Sequence, residues 1–240
     1  MGLPRSTRQA SAMLITSKRK GDCPMKIVAV NGSPRKNWNT HILLTKACEG
    51  AESVGAQTEF INLYDLEYKG CRSCFICKTK KGKSLGRCIV KDGLKPVLDT
   101  IHTCDGIILG SPIYFGDVTA MMRAFWERLI FQYLNYDDYT KPFISKMSKK
   151  KTAFIYTMNV AESMLEKIGY TNTFKSYESI LKEYFGNSFF MVSTETLQVT
   201  DYSKHHMANF DEAERKKRRE KFFPQDCEEA YKLGKVVASP

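Results

Sequence analysis

MKIVAVN, residues 25–31, is a continuous apolar and β-branched run that stops at Gly32-Ser33-Pro34. A strand covered on both faces needs no alternation of polar residues, so this run predicts a central parallel strand ending in a tight loop. The next segment, Thr40 to about Ser53, carries Ile42, Leu43, Leu44, Ala47 and Ala51 at helical spacing, with Asn39 or Thr40 near the N-cap. Strand, loop and helix in this order open a βαβ unit. Thr58–Leu63 reads as a second strand. Asp105–Leu109 reads as a third and again runs into Gly-Ser-Pro at Gly110, Ser111 and Pro112. Val118–Tyr133 has the spacing of a helix facing a core. Thr152–Thr157 is a fourth strand, and Ser188–Val199 contains a fifth. The alternation predicts an α/β fold: an open five-stranded parallel sheet with helices on both faces.

The 240 residues suit one α/β core. No apolar run approaches the roughly 18 residues of a membrane span, so no membrane role is expected. The formal charge of +11 is concentrated: six bases and no acid lie between Cys71 and Cys88, and five bases lie in Lys141–Lys151. Asp211–Lys221 mixes four acids with six bases, the mark of a solvated helix face, and no nucleic-acid partner is expected. Residues 1–24 are basic and Ser/Thr-rich, superficially like a transit peptide. They read better as a disordered extension before a single domain at 25–240. Eight cysteines without a secretory signal indicate reduced thiols or metal ligands, and a cytoplasmic protein.

Ligands of an open parallel sheet bind beyond the carboxyl ends of the strands. The first loop, Asn31 to Thr40, leads into a helix N-terminus, where free N–H groups favour a phosphate. It matches neither the GxxxxGK[ST] nor the GxGxxG pattern, so a monoester phosphate suits it better, although a turn that merely caps a helix would use the same residues. The second loop, Ser111 to Asp117, puts Tyr114 and Phe115 at the same rim. There they could stack on a flat ring or simply join the core.

Together, GSPR and NT after the first strand, and GSPIYFG followed by MMRAFWERL after the third, resemble the NADPH-dependent FMN reductase and iron-sulfur flavoprotein group of the flavodoxin-like superfamily. The resemblance runs from about Met25 to the C-terminus. It implies FMN, with the phosphate held by Ser33, Arg35, Asn39 and Thr40, and the ring against Pro112, Ile113, Tyr114, Phe115 and Gly116. The loop of Thr157, Met158 and Asn159 would close the far side. It also implies a homodimer or homotetramer.

Cys71-x2-Cys74-x2-Cys77-x10-Cys88, within a loop at 69–95, is a metal-ligand pattern that helix amphipathicity does not produce. The CxxCxxC core favours a 4Fe-4S cluster; zinc, or thiols without metal, are the alternatives. The ten-residue gap before Cys88 is longer than in the family's compact motif. The surrounding bases would offset the charge of a cluster and offer a face to an acidic redox protein such as a ferredoxin. His41, His102, His205 and His206 lack metal spacing, and no catalytic acid, base or nucleophile is expected, because a flavin carries its own chemistry. The predicted function is an FMN-dependent oxidoreductase that takes electrons from NAD(P)H or through a cluster and passes them to a small-molecule acceptor or a protein. The alternatives are a cluster-free NAD(P)H-dependent flavin or quinone reductase and a non-enzymatic electron carrier.

Overall fold

A computed structural model describes residues 24–140 and 149–239. Most of the basic N-terminal segment, Cys23 and residues 141–148 of the lysine-rich stretch lie outside the described residues. Five long strands, β1 (Lys26–Asn31), β2 (Gln57–Asn62), β3 (Gly106–Tyr114), β5 (Lys151–Thr157) and β6 (Ser188–Ser193), form a parallel sheet in the order β2-β1-β3-β5-β6. A two-residue strand, β4 (Asp117–Val118), folds back antiparallel on the end of β3 and adds a sixth strand to the five expected. Counting only the long strands, the order is 2-1-3-4-5, the flavodoxin-like doubly wound arrangement.

Alternate residues of each strand enter two separate cores, as the pleat requires. Val28, Val30, Ile107, Leu109, Phe154 and Tyr156 face α2 (Lys95–Thr103), α3 (Ala120–Phe131) and α4 (Tyr170–Phe185). Ile27, Ala29, Ile108, Ala153 and Ile155 face α1 (Asn39–Glu52) and α6 (Phe223–Val237). All of these strand residues are essentially inaccessible to water, which accounts for the unbroken apolar run of β1. The mixed-charge segment forms α5 (Glu212–Lys221), which has no buried residue. No described helix is long and apolar enough to cross a membrane.

The tightest helix contact is between α1 and α6. A Cβ on Gly50 would lie 1.9 Å from the Tyr231 carbonyl oxygen, and one on Gly234 would lie 1.8 Å from that of Ala47. Each helix thus offers a glycine to the backbone of the other.

β3 corrects the expected boundary. It runs through Gly110-Ser111-Pro112 to Tyr114 instead of ending at Leu109, and its pairing with β5 extends to Pro112 opposite Thr157. Its pairing with β1 ends at Gly110, whose carbonyl accepts the Gly32 N–H at 2.7 Å. Strand residues alternate in direction, so Pro112 faces the side that β1 has already left, where its missing N–H forfeits no ladder bond.

Candidate functional site

The first strand-end loop is held by its own short side chains. Asn31 Oδ1 accepts the Ser33 N–H at 3.0 Å, and Ser33 Oγ accepts the Arg35 N–H at 3.2 Å. These local turns carry the chain from β1 to α1, whose N-cap is Trp38 rather than Asn39 or Thr40. No side chain caps the helix, so its first N–H groups remain available to an anion.

Thr119 ties this loop to the second one. Its hydroxyl donates to the Gly32 carbonyl at 2.7 Å and accepts the Met122 N–H at 3.3 Å, capping α3, while its own N–H donates to Ser111 Oγ at 3.1 Å. All three partners are buried, and Thr119 itself is inaccessible. A third tie comes from the segment after β6. The Leu197 carbonyl accepts from Trp38 Nε1 at 3.1 Å and Asn39 Nδ2 at 2.9 Å, and the Gln198 carbonyl accepts from the Arg35 guanidinium. Arg219 of α5 donates to the remaining oxygen of Asn39.

The result is a cleft at the carboxyl rim of β1, β3, β5 and β6. Ser33, Arg35, Asn39, Thr40, Pro112, Ile113, Tyr114, Thr157, Met158 and Asn159, expected from the sequence, all line it. Phe115 and Gly116 do not. Both adopt positive φ at the turn between β3 and β4, and the Phe115 side chain stands fully in solvent. Sequence reasoning missed Trp38, Val160, Tyr170, Thr196 and Gln198, which complete the lining. Thr196 and Gln198 could have been sought in the polar residues that follow the fifth strand.

Among the described residues, the lining contains no carboxylate and Arg35 is its one charged side chain. Thr40 Oγ1 and Thr157 Oγ1 lie 2.8 Å apart across the floor, so one hydroxyl proton of the pair stays free to donate. Asn159 Nδ2 donates to Gln198 Oε1 at 3.2 Å, and Asn159 Oδ1 is buried without a partner. A helix N-terminus and a hydroxyl at one end, with a proline, an isoleucine and two tyrosines beside an unsatisfied amide oxygen, suit a phosphate joined to a flat ring that bears N–H groups.

The sequence model of the NADPH-dependent FMN reductase family matches residues 25–166, more than half of the 240. The chain belongs to this family. Among curated relatives of this FMN reductase family chain, an iron-sulfur flavoprotein of Methanocaldococcus jannaschii is 38% identical over 104 residues, 43% of this chain and 51% of the relative. An iron-sulfur flavoprotein of Methanosarcina thermophila is 28% identical over 106 residues, 44% and 53% of the two chains. The chain spans about half the length of the curated relatives it matches. In fold it is similar to an NAD(P)H:quinone oxidoreductase from Methanothermobacter marburgensis, with a TM-score of 0.67 at 12% identity over 91% of this chain and 99% of the other. It is also similar to an azoreductase from Bacillus anthracis, with a TM-score of 0.59 at 16% identity over 88% and 99%.

The cysteine loop lies at the opposite end of α3 from the cleft. Gly70 to Cys88 folds over the last turns of that helix, and Lys78 donates to the Phe131 and Leu134 carbonyls, satisfying the helix's C-terminal acceptors. Ser73 and Phe75, on either side of Cys74, both take positive φ, at 51° and 56°. For residues with a Cβ this costs about 1 kcal/mol each, and such strain concentrates at functional loops. Cys71, Cys74, Cys77 and Cys88 line one cavity together with Arg128, Phe131 and Gln132. Among the described residues, no three His, Cys, Asp or Glu side chains surround a single metal-ion position. The thiols therefore share a cavity without converging on one tetrahedral point.

Donors in the cavity also lack acceptors. Gln132 is 3% exposed, and its Oε1 accepts the Cys88 N–H at 3.0 Å, which fixes the amide orientation and leaves Nε2 unpartnered. A bare zinc ion would bring no acceptor, whereas the sulfides of a cluster would.

Cys48 and Cys104 are packed thiols, as their apolar neighbours imply. Burial pushes Cys48 up to about 12 and Cys104 up to about 11, so almost no thiolate forms at neutral pH. Native labelling with iodoacetamide at pH 7.5 is expected to leave both unmodified, and labelling in urea to modify both. Peptide mass spectrometry showing either one alkylated in the folded protein would contradict their placement. The histidines stay outside both sites: His41 packs on Phe60 and His102 on Tyr133, while His205 and His206 are exposed.

Proposed function

We propose that the chain is an FMN-dependent oxidoreductase that binds the flavin in the rim cleft and a 4Fe-4S cluster at the four cysteines. The observation that carries this reading is the convergence, in one acid-free cleft, of an uncapped helix N-terminus with an apolar wall and an unsatisfied amide oxygen. FMN supplies two-electron chemistry and a cluster supplies single-electron transfer, so a chain holding both can interconvert the two kinds of traffic.

The chain's own residues bind and orient. The first turn of α1, Ser33 and the Thr40–Thr157 hydroxyl pair would hold the phosphate, with Arg35 above them. Pro112, Ile113 and Tyr114 would support one face of the ring, and Met158 and Asn159 its edge. Asn39 acts indirectly, since both ends of its amide are already engaged by Leu197 and Arg219. Phe115 projects from the lip of the cleft and suits a cover formed with a second copy of the chain, in a homodimer or homotetramer. Electrons would enter from NAD(P)H or from an acidic ferredoxin-like protein docking on Arg72, Lys80, Lys81 and Lys83, and leave to a small acceptor. The described cysteines are all free thiols, which fits a reducing compartment such as the cytoplasm.

Anaerobic purification followed by absorbance, iron and acid-labile sulfide analysis tests the reading. We expect flavin bands and about four irons per chain, with Cys74→Ala keeping the flavin and losing the iron. Flavin without iron would leave a cluster-free flavin or quinone reductase, and absence of flavin would end the flavoprotein reading. Turnover of NADPH with free FMN or a quinone would separate an enzyme from a carrier, which turns over only with its partner.

A further inference from the structure

Arg128, in the last turn of α3, and Gln132, its C-cap, stand one turn apart and both line the cysteine cavity. Arg128 is 2% exposed. Its Nη1 meets Asp92 Oδ2 at 2.5 Å and the Lys69 carbonyl at 3.3 Å, and its Nη2 meets Cys88 Sγ at 3.4 Å and the Val90 carbonyl at 3.3 Å. Its Nε is buried without a partner, as is Gln132 Nε2. Burying a guanidinium and a primary amide with donors unsatisfied costs free energy that a packed apolar pair would not. Both side chains line the cavity around the four thiols, so the missing partners belong to whatever fills that cavity.

We propose that Arg128 and Gln132 donate hydrogen bonds to the sulfur atoms of a cluster held by Cys71, Cys74, Cys77 and Cys88, and so raise its reduction potential. The inference rests on the cluster reading above. Reduction adds one electron from an external reductant to the cluster, with no bond made or broken, and places one more negative charge on its iron and sulfur atoms. A fixed cation and an N–H donor in the lining of that cavity would stabilise the reduced form more than the oxidised one. Cys88 is the ligand most affected, because its backbone N–H is held by Gln132 and its sulfur by Arg128. The two residues thereby position the cysteine that is most distant in sequence from the CxxCxxC core.

The test is a potentiometric titration followed by electron paramagnetic resonance on wild type, Gln132→Met and Gln132→Glu, with iron, sulfide and circular dichroism measured on each. Gln132→Met removes the free donor at similar volume. Gln132→Glu keeps the acceptor for the Cys88 N–H but replaces the donor by a carboxylate oxygen. The expected order of midpoints is wild type, then Met, then Glu. The first step should be a tenfold fall in the reduced-to-oxidised ratio at fixed potential, about 59 mV for one electron. Arg128→Lys, which retains the charge beside Asp92 but loses the planar fork, is expected to fall below wild type as well. Equal midpoints in folded, iron-loaded variants would overturn the proposal, as would loss of iron from Gln132→Met with the fold intact. A wild-type protein that takes up no iron would instead remove the cluster reading itself.

Discussion

Gly234→Ala is expected to destabilise the protein by about 3 kcal/mol, at the upper end of what overpacking a well-filled contact costs. The new methyl carbon would begin 1.8 Å from the Ala47 carbonyl oxygen, a backbone atom that no rotamer change can move aside. The helices must separate, and separation opens the core that Ile27, Ala29 and Ile108 share with α1 and α6. For a domain of this size each kcal/mol is roughly 2–4 °C in Tm, so a fall of roughly 6–12 °C should appear in a thermal melt followed by circular dichroism. Gly55→Ala is the control. That position has φ of +92° but nothing within 4 Å of the added carbon, so only backbone strain of about 1–2 kcal/mol is expected. Equal losses at the two positions would mean that α1 and α6 do not touch as closely as described.

The second large effect is expected at the joint between the two rim loops. Thr119→Val keeps the shape of a fully buried side chain but removes the donor to the Gly32 carbonyl and the acceptor for the Met122 N–H. Losing a helix cap costs about 1 kcal/mol, and leaving a buried polar group unmatched costs about 1–3 kcal/mol. A combined loss of about 3 kcal/mol should appear in urea denaturation. Because Thr119 joins the loop carrying Ser33 to the strand end carrying Pro112 and Ile113, FMN affinity should fall about tenfold as well, read by flavin fluorescence quenching. Thr119→Ser should restore both. A stability loss with unchanged flavin affinity would make the residue a helix cap and nothing more.

The parts of this architecture that were legible in the sequence are those written as local pattern. Unbroken apolar runs revealed the buried strands because a strand covered on both faces tolerates little else. The cysteine spacing pointed to a second candidate site because chance and amphipathicity rarely produce it, and the four thiols line one cavity. The Gly-Ser-Pro repeat pointed correctly to the rim but misled about the end of β3, since whether a proline ends a strand depends on whether a neighbour still needs its N–H. Two helices carried weak signals. α2 is short and opens on a proline, and α4 hides its core stripe of Phe174, Tyr177, Leu181 and Phe185 among polar residues. Tyr170 reaches the cleft only through tertiary folding, while Thr196 and Gln198 follow a strand whose polar end was the one local sign of them.

α3 starts at the rim of the cleft, pinned there through Thr119, and ends at the cysteine cavity beside Arg128 and Gln132. Twelve helical residues span about 18 Å, so the two proposed sites sit at opposite ends of one helix. If both proposed sites load, their loading is a linked equilibrium. If the flavin tightens the hold on the cluster by some factor, the cluster must tighten the hold on the flavin by the same factor, because both routes lead to the same doubly loaded protein. In that case a chain stripped of iron releases its flavin more readily, by that same ratio.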